Sequence, residues 1–271
     1  MASFYRTAVA VCLVALGVLE SEAQQGPATY KFTVVNVDED AYLSANLARN
    51  GKLPVHISEV KKDDSLVTAL TEEVTAGAEP AAENCTALIT SELKARFHYS
   101  FDHEPESEAS FDYRQLLQKA LEAGLTVFKK AYPKSKEEWQ NIWKDDAGAS
   151  LAYLLASNST TIGCVIGRCT QVATPAEPEV PELPHDGAGD SGTPEGTLKK
   201  EAVLFCDLKP PAVKDSAPFD EEYFNGLIER TTQLKDMTED DLKNSVGNGP
   251  VATASTILIA GLVAMLTAVS A

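Results

Sequence analysis

The chain has 271 residues, 44% of them hydrophobic, with 40 acidic against 23 basic side chains and a formal charge of −17. That length allows one substantial domain or two small ones. So acidic a surface repels nucleic acid and anionic lipid, which excludes DNA or RNA as a partner and attachment to a membrane through a basic patch.

The chain opens MASFYRTAVAVCLVALGVLESEAQQ. Arg6 is the only cation before the apolar run Ala8–Leu19, and Ser21-Glu22-Ala23 is a small-x-small site. This layout predicts a secretory signal peptide over residues 1–23, with an apolar core too short for a membrane span. The far end, GNGPVATASTILIAGLVAMLTAVSA, carries no charge from Val251 to Ala271 and no Lys or Arg after it. A true span is normally held by cations on its cytoplasmic side. Small residues, a spacer and a terminal apolar tail instead predict a signal for a glycosylphosphatidylinositol (GPI) anchor. The tail 248–271 is then removed, 241–247 is a linker, and the lipid joins Ser245 or Gly247. The predicted partner at this end is the outer leaflet of the plasma membrane.

Between these ends, residues 24–79 form a segment that packs on or precedes the main domain. It contains strand-like stretches at Tyr30–Val35 and Pro54–Ile57 among charged turns. The ectodomain is predicted over 80–240. CTALITSELKARF places Cys85, Leu88, Ile89, Leu93 and Phe97 on a helical stripe. FHYSFDHEPESE then reads as a polar turn. SFDYRQLLQKALEAGLTVFKKAYP is the clearest helix, apolar at Tyr113, Leu116, Leu117, Ala120, Leu121, Leu125, Phe128 and Tyr132, and stopped by Pro133. In SKEEWQNIW, Ser135 and Glu138 are spaced as a capping box, with Trp139, Ile142 and Trp143 turned inward. ASLAYLLAS continues as a short apolar helix. TTIGCVIGRCTQV is rich in β-branched residues and reads as a strand, with KKEAVLFCDL as its partner. The stretch between them, 170–198, is rich in Pro, Gly and acid and reads as a surface loop. PFDEEYFNGLIERTTQL gives a last helix through Phe219, Tyr223, Phe224, Leu227 and Ile228.

With the leader gone, Cys85, Cys164, Cys169 and Cys206 remain, and an oxidising compartment predicts two disulfides from three arrangements. Zinc is disfavoured by the lack of a CxxC pair. Cys169 and Cys206 flank the loop, so a bridge there, with Cys85 to Cys164 as the other, is the favoured pairing. Asn84-Cys85-Thr86 and Asn158-Ser159-Thr160 are sequons, predicting N-glycosylation at Asn84 and Asn158.

Catalytic patterns fail. There is no GxSxG, HExxH or phosphate loop, and Ser91-Glu92-Leu93-Lys94 matches SxxK without its partner motifs. His98 and His103 are five residues apart in acidic surroundings, where a solvated turn is the expected environment. No catalytic residue, cofactor or metal is predicted.

Thr161–Cys169 and Val203–Pro210 resemble the paired C-terminal strands of the CAP superfamily (cysteine-rich secretory, antigen 5 and pathogenesis-related proteins), with IGC…C and then C-[ND]-[YL]-x-P. The resemblance implies an α/β fold, a disulfide-stapled α-β-α sandwich. That superfamily's two-His site is missing: the helix at Cys85 lacks a His, and Ser150 stands where the second would fall. The whole layout is similar to the GPI-anchored surface antigens of coccidian parasites of the Eimeria kind. This implies a non-enzymatic coat protein of an invasive stage, with host-cell surface molecules and antibodies as partners. The alternative implied by the CAP likeness is a surface binder of a sterol or fatty acid.

Overall fold

Both faces of the two longest strands are apolar, and that decides the architecture. The computed structural model describes residues 29–76, 83–104, 111–172 and 196–243. The strands are β1 (Thr29–Asn36), β2 (Lys61–Lys62), β3 (Phe97–Asp102), β4 (Thr161–Val172) and β5 (Thr197–Lys209). The helices are α1 (Glu39–Asn50), α2 (Asp64–Ala76), α3 (Ser91–Lys94), α4 (Tyr113–Phe128), α5 (Lys136–Lys144), α6 (Asp146–Leu154) and α7 (Glu221–Glu229). The sheet runs β1-β4-β5-β3 with antiparallel neighbours, and β2 adds a short parallel pairing to the start of β4. Along β4 and β5, Ile162, Cys164, Ile166, Ala202, Leu204, Cys206 and Leu208 face a large core beneath α1 and α4–α7. The alternate residues Val165, Cys169, Val203 and Phe205 face a smaller core with Leu70 and Val74 of α2 and Leu93 of α3. Helices thus cover both faces, in a three-layer α-β-α arrangement. Among the described residues no helix is long and apolar enough to cross a membrane.

Residues 29–76 are woven into the same sheet as the ectodomain. β1 pairs with β4 from Thr29↔Val172 to Asn36↔Val165. The stretch Pro54–Ile57 is irregular rather than a strand, and Asn50 Oδ1 accepts the Ile57 N–H at 2.9 Å. The helix expected over CTALITSELKARF breaks into a 3₁₀ turn (Thr86–Leu88) and α3. Thr90 caps the latter by accepting the Leu93 N–H, and Phe97 already belongs to β3. The expected polar turn FHYSFD is therefore strand, with Phe97, Tyr99 and Phe101 alternating onto the large core. The capping box of α5 is present, Ser135 Oγ accepting the Glu138 N–H while the Glu138 carboxylate accepts the Ser135 N–H. α4 ends earlier than Pro133, at Lys129 in the left-handed region.

The cysteine pairing differs from the expected one. The bridges are Cys85–Cys169 and Cys164–Cys206, replacing Cys85–Cys164 and Cys169–Cys206. Strand parity is the reason. Cys164 and Cys169 are five residues apart on one strand, so they point to opposite faces. Cys164 lies directly opposite Cys206 in the β4–β5 register, with Cα atoms 4.1 Å apart on the large-core face. Cys169 faces the small core, where Cys85 sits. The sequence separations are 42 and 84 residues, and on the chain-entropy model each bridge contributes about 4–5 kcal/mol. Residues 173–195, most of the predicted loop, lie outside the described residues.

One buried cation ties the large core to its loops. Arg49, at the end of α1, is fully buried. Its Nη1 donates to Leu154 O (2.6 Å), and Nη2 donates to Ser58 O (2.6 Å), Ala156 O (3.0 Å) and Ser159 O (3.3 Å). Burial pushes its pKa down to about 10, which leaves it charged at neutral pH. The Tyr223 hydroxyl of α7 donates to Arg49 O at 2.6 Å. On the other face, α2 approaches β4 at Gly163, where an added Cβ would lie 2.6 Å from the Val67 backbone nitrogen.

Two stability measurements check this packing. Arg49→Met removes the donor from four carbonyls, leaving the buried Leu154 O and Ser159 O without a partner among the described residues, and is expected to cost at least about 3 kcal/mol in urea unfolding; a loss under about 1 kcal/mol would contradict the role given to the guanidinium. Gly163→Ala forces α2 off the sheet and is expected to cost about 1–3 kcal/mol by overpacking. For the bridges, a non-reducing peptide map is expected to yield Cys85 joined to Cys169, and recovery of Cys85 with Cys164 would overturn the topology.

Candidate functional site

The residues singled out from sequence do not converge. Asn84 and Asn158 are both exposed, on different loops. Asn84 Oδ1 accepts the Ala87 N–H at 2.9 Å, which leaves its amide nitrogen without a bond to any described residue. Asn158 sits in the turn before β4, where the next residue, Ser159, is buried and donates to Pro210 O at 2.6 Å. Ser245 and Gly247 lie outside the described residues, as do the predicted signal peptide and tail.

The nucleophile and histidine candidates are engaged in structural bonds. Ser91 Oγ donates to Glu92 (3.0 Å) while Lys94 Nζ reaches Asp146 (2.7 Å), so the two ends of the SxxK match face different partners. Ser150 Oγ donates to His98 O (2.6 Å) and accepts the His98 N–H (2.9 Å). A single hydroxyl from α6 therefore satisfies both outward backbone groups of β3 at this edge position, a protection that edge strands need. It meets the backbone of His98, not its ring. The His98 ring contacts Arg96 O through Nδ1 at 3.2 Å, and the His103 ring packs on Phe111 with centroids 4.6 Å apart. Cys85, Cys169 and Glu201 are the described residues with ligand atoms clustered as a metal site would need. Both sulfurs belong to the disulfide, so no thiolate is left to ligate.

Sequence reasoning missed a groove on the described surface. A groove of about 650 Å³ runs between the second half of α4 and the segment leaving α7. Its floor is Leu121, Leu125, Leu227 and Ile228. Leu121 and Leu227 are the buried edge of the core, whereas Leu125 and Ile228 are half-buried and face the opening. The rim carries Lys129, Lys130 and Arg230 against one carboxylate, Glu122. Glu122 is already engaged by Gln118 Nε2 at 2.8 Å. Arg230 Nη1 is pinned to the end of α1 through Leu47 O, Ala48 O and Gly51 O at 3.1–3.2 Å. Burial lowers its pKa below the ordinary guanidinium value. Lys129 and Lys130 both have positive φ, 51° and 57°. Two successive non-glycine residues there cost on the order of 1 kcal/mol each, and such cost persists only where the surroundings enforce it. The groove was hidden in the sequence because its apolar residues belong to the same stripes that pack the core.

His98 supplies a pH test. Burial is the largest influence on its ring and lowers the pKa below the ordinary 6.5; the Arg96 carbonyl and Asp146 oppose this, and Lys94 adds to it. With the folded pKa below the unfolded one, the neutral ring's contribution to stability is whole above pH 6.5 and is lost as pH falls towards the folded value. His98→Asn is expected to flatten the fall in Tm between about pH 7.5 and 5.5; an unchanged slope would refute this.

Comparison with known proteins points to a family rather than to a catalytic centre. The crystal structure of the Eimeria tenella surface antigen protein SAG19 aligns over 75% of this chain and 98% of that one, at 17% identity and a TM-score of 0.37. Comparison with curated proteins finds no match. The model of the sporozoite surface antigen (SAG) protein domain matches residues 45–239, a span running from α1 to the last 3₁₀ turn and holding both disulfides. The chain belongs to the sporozoite surface antigen family.

Proposed function

We propose that this chain is a non-enzymatic, GPI-anchored coat antigen of a parasite's invasive stage, acting in host-cell attachment and in contact with the immune system. The observation that carries this reading is the surface-antigen domain match over residues 45–239, in a chain whose two ends read as processed. The physical work is display. A lipid at Ser245 or Gly247 tethers the domain to the outer leaflet. Two bridges, one on each face of the sheet, keep the body folded in an oxidising exterior that contains proteases. The acidic surface keeps densely packed copies soluble. Glycans at the exposed Asn84 and Asn158 would shield two separate loops.

The CAP likeness belongs to the same reading. It rests on the IGC…C and CDLKP runs of β4 and β5 and on helices covering both faces of the sheet. The small-molecule alternative that it carries is the weaker one, because a sterol site needs an enclosed apolar cavity and the α4–α7 groove has a charged, open rim.

Treating intact cells with a phosphatidylinositol-specific lipase is expected to release the protein into the supernatant. Retention in the presence of a control protein that is released would favour a retained transmembrane tail. Ser245→Leu together with Gly247→Leu removes both attachment candidates and is expected to abolish surface display, which surface labelling would read.

A further inference from the structure

The α4–α7 groove combines three features that a core seam does not need. It keeps an aliphatic floor open to solvent at Leu125 and Ile228. It holds three cations on the rim of a protein with formal charge −17, two of them on strained backbone. Its third feature is a stretch of free backbone. Thr231, Thr232 and Gln233 leave α7 in no regular structure, and their N–H groups donate to no acceptor among the described residues. Aliphatic floor, basic rim and free backbone donors together match an extended acidic peptide with aliphatic side chains better than they match a sterol or a fatty acid, whose carbon skeleton has no use for a row of amides.

The chain contains such a peptide. Residues 177–184 read EPEVPELP, with carboxylates at Glu177, Glu179 and Glu182, aliphatic side chains at Val180 and Leu183, and no Lys or Arg. We propose that the groove receives residues 177–184 of a neighbouring copy, so that adjacent molecules on the membrane link groove to acidic segment.

Reach argues for a neighbour rather than the same molecule. α4 starts near Lys200, since Phe111 packs on the His103 ring and the His103 N–H donates to Lys200 O. It ends near the Thr161 end of β4, since Phe128 packs on Phe219, and Pro218 O accepts the Ser157 N–H. Lys129 and Lys130 therefore lie towards one end of a twelve-residue strand whose other end, Val172, leads into the acidic segment. That strand is about 37 Å long at 3.3–3.4 Å per residue. Glu177 and Glu179 are five and seven residues past Val172 and reach at most about 18 and 25 Å, short of the two lysines, so a chain's own segment could not set all three carboxylates against them, whereas a neighbour's segment carries no such tether.

The test is fluorescence anisotropy of a labelled synthetic peptide of residues 177–184, titrated with the full chain. Saturable binding is expected, weakening about tenfold between roughly 50 and 300 mM salt as the charges are screened. The double substitution Lys129→Asn with Lys130→Asn removes both charges and suits the left-handed backbone, so the thermal midpoint should hold or rise. It is expected to weaken the peptide by about tenfold or more, and a peptide with Gln at all three Glu positions should fail likewise. Sedimentation of the full chain should show self-association that the double variant loses. No saturable binding up to about 1 mM peptide, or undiminished binding by the double variant, would overturn the proposal. So would dodecanoate binding in the groove with an affinity that the peptide cannot contest.

Discussion

A fully buried guanidinium with no carboxylate beside it holds the large core to its loops. Arg49 is solvated by the carbonyls of Ser58, Leu154, Ala156 and Ser159, so one side chain replaces water for two separate stretches of chain. An uncompensated buried charge is tolerable only when enough dipoles converge on it, and here two of the dipoles, at Leu154 and Ser159, have no other partner among the described residues. The arrangement is mutual. Without the turns the cation could not be buried, and without the cation the turns could not close around α1, α6 and the start of β4. Arg230 repeats the device on a smaller scale at the end of the same helix.

From that junction the rest of the architecture is built in layers. β4 and β5 are apolar on both faces, so the sheet must be covered twice, and each covering is fixed differently. On the large-core side, aromatic rings from α4 (Phe128), α5 (Trp139), α7 (Phe224) and the segment before α7 (Phe219) interlock with centroids 5.3–6.1 Å apart. On the other side, α2 presses against Gly163, and the turn at Cys85 is bonded to β4. A half-buried ionic network completes that side, with Arg96 placed between Glu73 of α2 and Asp207 of β5.

Much of this was legible in the sequence, and the failures have physical causes. The amphipathic stripe of α4, the capping box of α5 and the strand-like runs of β4 and β5 carry strong periodic signals and appear where expected. α1 went unread because Ala41, Ser44, Ala45 and Ala48 form a stripe of small residues, and α2 because its Val and Thr residues look strand-like. β3 was mistaken for helix and turn because Thr90 starts a new helix in mid-pattern and the alternation of Phe97, Tyr99 and Phe101 is interrupted by polar residues. The bridges were mispaired through attention to loop closure when strand parity already separated Cys164 from Cys169. The groove left no sequence mark beyond two adjacent lysines at a helix end.

The parity of those two cysteines also governs the order in which the molecule can be made. Ribosomal synthesis delivers Cys85 first, and it must wait 84 residues for its native partner. Cys164 emerges five residues earlier than Cys169, so the first thiol offered to Cys85 is the wrong one. Only when β4 has adopted its pleat does the geometry turn Cys164 away, towards a Cys206 that has yet to be translated. The pleat of β4 is thus what sets Cys164 and Cys169 on opposite faces and so separates the two native partners.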